Sequence, residues 1–307
     1  MGDNTSGPVI LFPGDYFDPH APDALMEEEF KLALADPRVE ACACGFDAFL
    51  EGHHLEPSHP LEGGTRIGLW RGWMMSPEEY KSFFRQCASL GLRLTTTPAA
   101  YELTHCFPNA YRYLDPSDTP HIEVFGDVID AEVVNRTFNA FMVKDHVKSL
   151  KQTDFPAVIE TPITQERCTE LSKTFIRERG ELYTGGLLCK QFVHLRRRRG
   201  ATNEWRAFFL YGSLLDLSPN SGQPTSSPAP DEGLVERASH LESPFYTVDF
   251  GELEDGGWTI LETGDGQVSG LSSGASAERF MHALVDGLVG EDEQRSLRSS
   301  GMTRTKS

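Results

Sequence analysis

The chain is short of positive charge. Of its 307 residues Lys and Arg supply 28 against 46 Asp and Glu, a formal net charge of −18, and a field of that sign repels nucleic-acid backbones and anionic membrane surfaces. No nucleic-acid partner is expected. The run Arg196 to Arg199 is the local exception, and it reads as a solvated strand end or loop. Long apolar runs are also missing, since nothing approaches the roughly 18 residues of a membrane span. The opening Met-Gly-Asp-Asn-Thr-Ser has neither the basic nor the apolar region of a secretory signal. The expected compartment is the cytoplasm, with no membrane partner. Six scattered cysteines include no Cys-x-x-Cys pair, which excludes the common zinc and dithiol motifs and fits free thiols. His53, His54 and His59 match no zinc spacing. Neither Gly-x-Gly-x-x-Gly nor Gly-Lys-Ser/Thr occurs, so the dinucleotide fingerprint and the P-loop are both excluded.

What remains is an ordinary globular composition, 39% apolar and 10% aromatic, at a length that favours two domains. Val9 to Phe12, closed by Pro13-Gly14, suits a buried strand, and residues 23 to 36 follow with helical spacing. Further strands near 41 to 46 and 65 to 70 give an open α/β start of Rossmann-like type. Ser76-Pro-Glu-Glu79 has the N-cap, proline and third-position glutamate of a helix start, and the helix should reach about Leu90. A strand at 92 to 95 and a helix from about 98 to 114 complete the first half.

From Phe138 the texture changes. Phe141-Met-Val-Lys144 is an apolar strand ending in lysine, 164 to 179 a helix, and 186 to 195 a β run. Residues 205 to 217 form a hairpin around Gly212, and 218 to 233, rich in Ser, Pro, Gly and Asp, a flexible loop. A second hairpin and a helix over about 275 to 289 close the fold. The expected organisation is an α/β domain over 1–137, a second, α+β domain over 138–290 and a disordered tail over 291–307.

The chemistry sits in the second hairpin, Pro244 to Gln267. Its β runs flank Asp255-Gly256, a dipeptide favoured in two-residue turns. Counting outwards from that turn, Asp249 faces Glu262; a turn at Gly256-Gly257 places it opposite Gly264 instead, with all of these positions on one face. Directly opposed side chains have Cβ atoms roughly 4.5 to 5.5 Å apart, where like charges repel, and a divalent cation is the simplest agent to compensate them.

These residues carry a resemblance to the ATP-grasp superfamily, specifically to its poorly characterised members with an N-terminal Arg-Gly-Trp-Met segment. The matching stretches are Arg71-Gly-Trp-Met74, Tyr101 with His105, Phe141 to Lys144 with Lys148-Ser-Leu-Lys151, Glu204-Trp-Arg206, and Val248-Asp249 with Glu262-Thr-Gly-Asp-Gly-Gln-Val-Ser-Gly-Leu271. They span most of residues 8 to 285. The resemblance implies a Rossmann-like pre-ATP-grasp domain followed by an ATP-grasp fold, with ATP and Mg²⁺ as cofactors. It implies Lys144, Lys148 and Lys151 on the phosphates, and the backbone of Gln191, Phe192 and Val193 at the adenine. Arg206 would meet the γ-phosphate or an acyl phosphate, with Asp249, Glu262 and Asp265 as metal ligands. Gly264 stands where many relatives have asparagine, which leaves Asp265, a backbone oxygen or water as the third ligand. Arg71 and Trp73 are candidate substrate contacts.

The implied activity is ligation of a small-molecule or peptide carboxylate to an amine or other nucleophile through an acyl phosphate, with Lys144 and Arg206 as catalytic groups. Two alternatives use the same site: a phosphotransferase acting on a small molecule, and a non-catalytic nucleotide-binding scaffold.

Overall fold

A computed structural model describes residues 7–150, 153–272 and 274–299. In the N-terminal part β1 (Val9–Pro13), α1 (Glu27–Ala35), β2 (Glu40–Cys44), α2 (Phe46–Leu50), β3 (Arg66–Trp70), α3 (Pro77–Ser89) and β4 (Leu92–Leu94) alternate, and the strands form one parallel sheet in the order β2-β1-β3-β4. Parallel strands need covered faces on both sides, which explains why β1, β2 and β3 are buried almost throughout. Ser76 caps α3 with the full reciprocal box: its side chain accepts from Glu79 N and the Glu79 carboxylate accepts from Ser76 N. The helix expected over 98 to 114 is broken in two, α4 (Pro98–His105) and α5 (Phe107–Tyr111). Cys106 between them is extended, and Pro108 in the first turn of α5 cannot continue the preceding ladder.

Next come β5 (Ile122–Phe125), α6 (Ala131–Thr137), β6 (Ala140–Asp145), β7 (Ile159–Glu160), α7 (Gln165–Arg179) and β8 (Leu187–Gln191), with the strands in the order β5-β8-β6-β7. β5 precedes the expected division at residue 137 yet pairs with β8 in register Ile122 to Lys190. The sheet therefore draws on both sides of that division. α6 is an addition to the expected elements, although Asp130 is a clear N-cap that accepts from the backbone N–H of Glu132 and Val133.

The last part holds β9 (Arg197–Arg198), β10 (Ala201–Thr202), β11 (Glu204–Leu210), β12 (Ser213–Pro219), α8 (Glu232–Ala238), β13 (Phe245–Glu252), β14 (Trp258–Asp265) and α9 (Ala277–Ser299). An antiparallel sheet runs β12-β11-β13-β14. The hairpin expected around Gly212 forms, and its β11–β12 turn is a two-residue one with positive φ at both Tyr211 and Gly212. The segment expected to be a flexible loop over 218 to 233 includes the end of β12 and the start of α8. Instead of ending near 289, α9 continues through Gly290 to Ser299, so the expected tail over 291–307 begins as helix; residues 300–307 lie outside the described residues. One core cluster joins the N-terminal sheet to this one through Ile10, Phe12, Phe208, Phe245, Phe280 and Leu284. No helix among the described residues is long and apolar enough to cross a membrane.

Candidate functional site

Two features of the β13–β14 hairpin set the register of its acids. The turn is one residue longer than the Asp255-Gly256 loop expected: Glu252 pairs with Trp258, and Leu253 N–H bonds Gly257 O across Glu254, Asp255 and Gly256. Gly256, at φ 95°, supplies the left-handed residue such a loop needs. A bulge then adds Leu261 to β14, between the pairs Phe250 with Ile260 and Asp249 with Glu262. The two departures cancel, and Asp249 stands opposite Glu262. Without the bulge, the period of two would turn Glu262 to the face of Ile260, which is core.

Each acid is held by a cation. Arg206, paired with Asp249 in the β11–β13 ladder, grips it bidentately, Nε to Oδ1 and Nη2 to Oδ2, both at 2.7 Å. Lys144, at the end of β6, donates to Glu262 Oε1 at 2.7 Å. Burial opposes ionisation of Glu262, but Lys144 and Lys148 outweigh it and draw its pKa down to about 2. The pair that would repel in isolation is thus neutralised by the chain itself.

Glu262 lies between two cavities. One, of about 390 Å³, is bounded by Lys144, Lys190, Gln191, Phe192, Val193 and Leu261, among others. The other, about 90 Å³, is lined by His105, Lys148, Arg206, Asp249 and Thr247. Between β6 and these cavities the chain closes into a tight loop: Asp145 Oδ1 accepts from Val147 N and Lys148 N, and its Oδ2 from Arg179 Nε at 2.7 Å. This buried carboxylate tethers the loop from both oxygens. Lys151 lies outside the described residues. Beyond β8, Phe192 N–H bonds Ala140 O, after which Val193 and His194 leave the ladder along the larger cavity.

Lys190 joins the site although nothing in the sequence beyond its place beside Gln191 marks it. It is buried, it donates to the carbonyl of the bulged Leu261, and it sits 4.4 Å from the Phe107 ring centroid. Burial, reinforced by Lys144, lowers its pKa to about 7. His105, which the resemblance picks out without a role, stacks on Tyr101 at 4.7 Å, itself stacked on Tyr80 at 4.0 Å. Burial followed by the charge of Lys148 lowers its pKa to about 4. The imidazole lining the smaller cavity is therefore neutral.

One expected site residue is turned to the other strand face, and two more, Arg71 and Trp73, are packed into the N-terminal part. Asp265, three residues after Glu262, falls on the opposite face of β14, paired with Tyr246; Thr263 on that same face bonds Thr104 O of α4. Its Oδ1 accepts from Gln267 N and Nε2, and it borders the smaller cavity with Asp249 and Glu262. Arg71 is buried against Glu29, two bonds of 2.8 Å, and donates to the carbonyls of Gly266 and Ser269. It pins the N-terminal sheet to the turn after β14 rather than meeting a substrate. Trp73 packs against the N-terminal core, and its carbonyl accepts from Trp70 Nε1. Gly72 between them has no alternative, because a Cβ there would lie 2.4 Å from the Trp70 ring.

Burial raises Asp265 to about 7, against its Gln267 bonds. Between the ordinary carboxylate value near 4 and pH 7 the unfolded chain releases a proton that the folded one keeps. Its contribution to stability is full below pH 4 and is lost as pH rises to 7. Denaturant midpoints of the wild type relative to Asp265→Asn should therefore fall steadily from pH 4.5 to 7.5; a difference independent of pH would refute this assignment.

The donor set suits Mg²⁺, which takes one or two carboxylates and completes its shell with water and phosphate oxygens. Among the described residues no group of three His, Cys, Asp or Glu gathers to form an all-protein cage.

Residues 130–284 match the family profile of an ATP-grasp domain, family 3 of its clade. No curated protein matches the sequence. Among solved structures, the D-alanine-D-alanine ligase from Coxiella burnetii superposes with a TM-score of 0.59 over 96% of this chain and 98% of that one, at 11% identity. A RimK domain ATP-grasp protein from Sphaerobacter thermophilus DSM 20745 gives 0.58 over 92% and 100%, at 19% identity. The ATP-grasp ligase PsnB, complexed with minimal precursor, Mg and ADP, gives 0.57 over 92% and 98%, at 9% identity. At these identities the likeness establishes a common fold.

Proposed function

The chain belongs to this ATP-grasp domain family, and from that premise we propose that it is an ATP- and Mg²⁺-dependent ligase that joins a carboxylate to an amine through an acyl phosphate. The observation that carries the reading is the pair Asp249 and Glu262, opposed on one sheet face at the junction of two cavities. When bound, the nucleotide supplies the phosphoryl group and the metal ion neutralises its charge. The larger cavity is the nucleotide's, with the backbone of Gln191, Phe192 and Val193 at the base and Lys144 toward the phosphates, which reach the border with the smaller cavity where Lys148 lies. Arg206 offers a planar fork suited to phosphoryl oxygens. Lys144 and Arg206 act by placing positive charge where the transferring group is most negative.

The smaller cavity is the acceptor side. The likeness to D-alanine-D-alanine ligase and to PsnB with its precursor supports small molecules and peptides alike as substrates. The reading is tested by incubating the protein with Mg·ATP and mixtures of carboxylic acids and amines, following ADP, free phosphate and condensed product by mass. ADP and phosphate formed together with an amide are expected. A stable phosphorylated product with no amide would overturn the ligase assignment.

A further inference from the structure

Among the described residues Lys190 is the buried cation of this site that no carboxylate pairs with, whereas Lys144 has Glu262 and Arg206 has Asp249. An ammonium carries three N–H donors. One goes to Leu261 O, and the Phe107 ring covers a second direction. A third remains for whatever fills the 390 Å³ cavity that Lys190 lines.

Register locates that donor along the cavity. Lys144 pairs with Leu188 and leads into the Asp145 loop, while Lys190 pairs with Met142, two residues back along β6. At about 3.3 Å per residue, Lys190 stands roughly 7 Å from the loop end, on the side of Gln191 to Val193. Gln191, the next residue of β8, alternates to the other side of the strand, where its Oε1 accepts from His121 N. Met142, Phe192, Val193 and Leu261 give that end apolar walls, and His194, Arg197, Thr202, Glu204 and Glu254 border the cavity beyond them.

The edge of guanine presents two adjacent acceptors, O6 and N7; adenine presents N7 beside an N6 donor. A fixed cationic donor complements the first pair and meets only half of it in adenine. We propose that Lys190 reads the O6/N7 edge of a purine, so that this cavity takes guanine nucleotides at least as tightly as adenine nucleotides. The inference rests on the larger cavity being the nucleotide site but not on any particular ligation chemistry.

The test compares dissociation constants of ADP, GDP and 7-deaza-GDP, each with Mg²⁺, by calorimetry on the full chain and on Lys190→Met. In the wild type GDP should bind as tightly as ADP or tighter, and 7-deaza-GDP, lacking the N7 acceptor, about tenfold more weakly than GDP, as expected for one charge-assisted hydrogen bond. Lys190→Met should weaken GDP by about tenfold or more and ADP by less, and should erase the 7-deaza effect. ADP binding clearly tighter than GDP in the wild type, or equal binding of GDP and 7-deaza-GDP, overturns the proposal without touching the nucleotide reading. Binding of none of the three would instead remove the nucleotide reading and this proposal with it. The wild-type comparison decides even if the variant fails to fold.

Discussion

Replacing Arg71 by leucine is expected to cost about 3–5 kcal/mol of stability, the usual penalty for breaking a buried ion pair by removing one partner. The size follows from what the guanidinium does. It satisfies both oxygens of the buried Glu29 and the carbonyls of Gly266 and Ser269, and lies over the rings of Phe280 and Phe208 at 5.2 and 5.9 Å. Leucine leaves a buried carboxylate unpaired and strands those carbonyls. Denaturant unfolding of the variant checks the number, and Arg71→Leu combined with Glu29→Leu should recover much of the loss, because the uncompensated charge is then gone. A loss below about 1 kcal/mol in the single variant, the scale of an exposed pair, would mean that the pin is dispensable. It would also return Arg71 to the candidates for substrate contact.

The second large effect concerns the metal pair. Asp249→Asn and Glu262→Gln should each weaken Mg²⁺-dependent ADP binding by at least about tenfold, since a neutral amide replaces a carboxylate of the proposed metal pair. The variants should also differ from one another. Asp249→Asn leaves the partly exposed Arg206 with an amide oxygen to bond, whereas Glu262→Gln strips the charge partner of the more buried Lys144 and should lower thermal stability more. Calorimetric titration of ADP with and without Mg²⁺, alongside thermal melts, separates the two consequences. Unchanged affinity in both variants would remove these residues from the site.

Much of this site can be read in the sequence because β strands have a period of two. Opposition of Asp249 and Glu262 follows from counting across the hairpin, but the count succeeds through a longer turn and a bulge at Leu261 that offset each other. Neither is written in the residue types: Leu261 looks like any apolar strand residue, and its bulge acquires meaning only when its carbonyl is seen to receive Lys190. The same period, applied to β14, puts Asp265 on the face opposite Glu262. Arg71 misleads for another reason. An arginine beside tryptophan in a short motif signals constraint, yet whether the constraint is a ligand or a distant loop depends on contacts nearly two hundred residues apart in sequence. Helices with strong caps, such as that begun by Ser76, are legible, and α6 is legible in principle from Asp130. The short edge strand β5 is not, because only Ile122 of its four residues is buried and its pairing with β8 is set by tertiary packing.

Within the chain itself both acids are already neutralised, Asp249 by Arg206 and Glu262 by Lys144. A divalent ion alone must displace two cations. With a nucleotide, phosphate oxygens give those cations new partners and leave the carboxylates to the metal. The most direct measurement is electron paramagnetic resonance of Mn²⁺ titrated into the protein with and without ADP. The expected result is weak Mn²⁺ binding by the protein alone and a tight site once ADP is present, a gain lost when Asp249→Asn and Glu262→Gln are combined. Tight Mn²⁺ binding without nucleotide, or an ADP-dependent site that persists in the double variant, would contradict a hairpin that directs these two carboxylates at a nucleotide-bound metal.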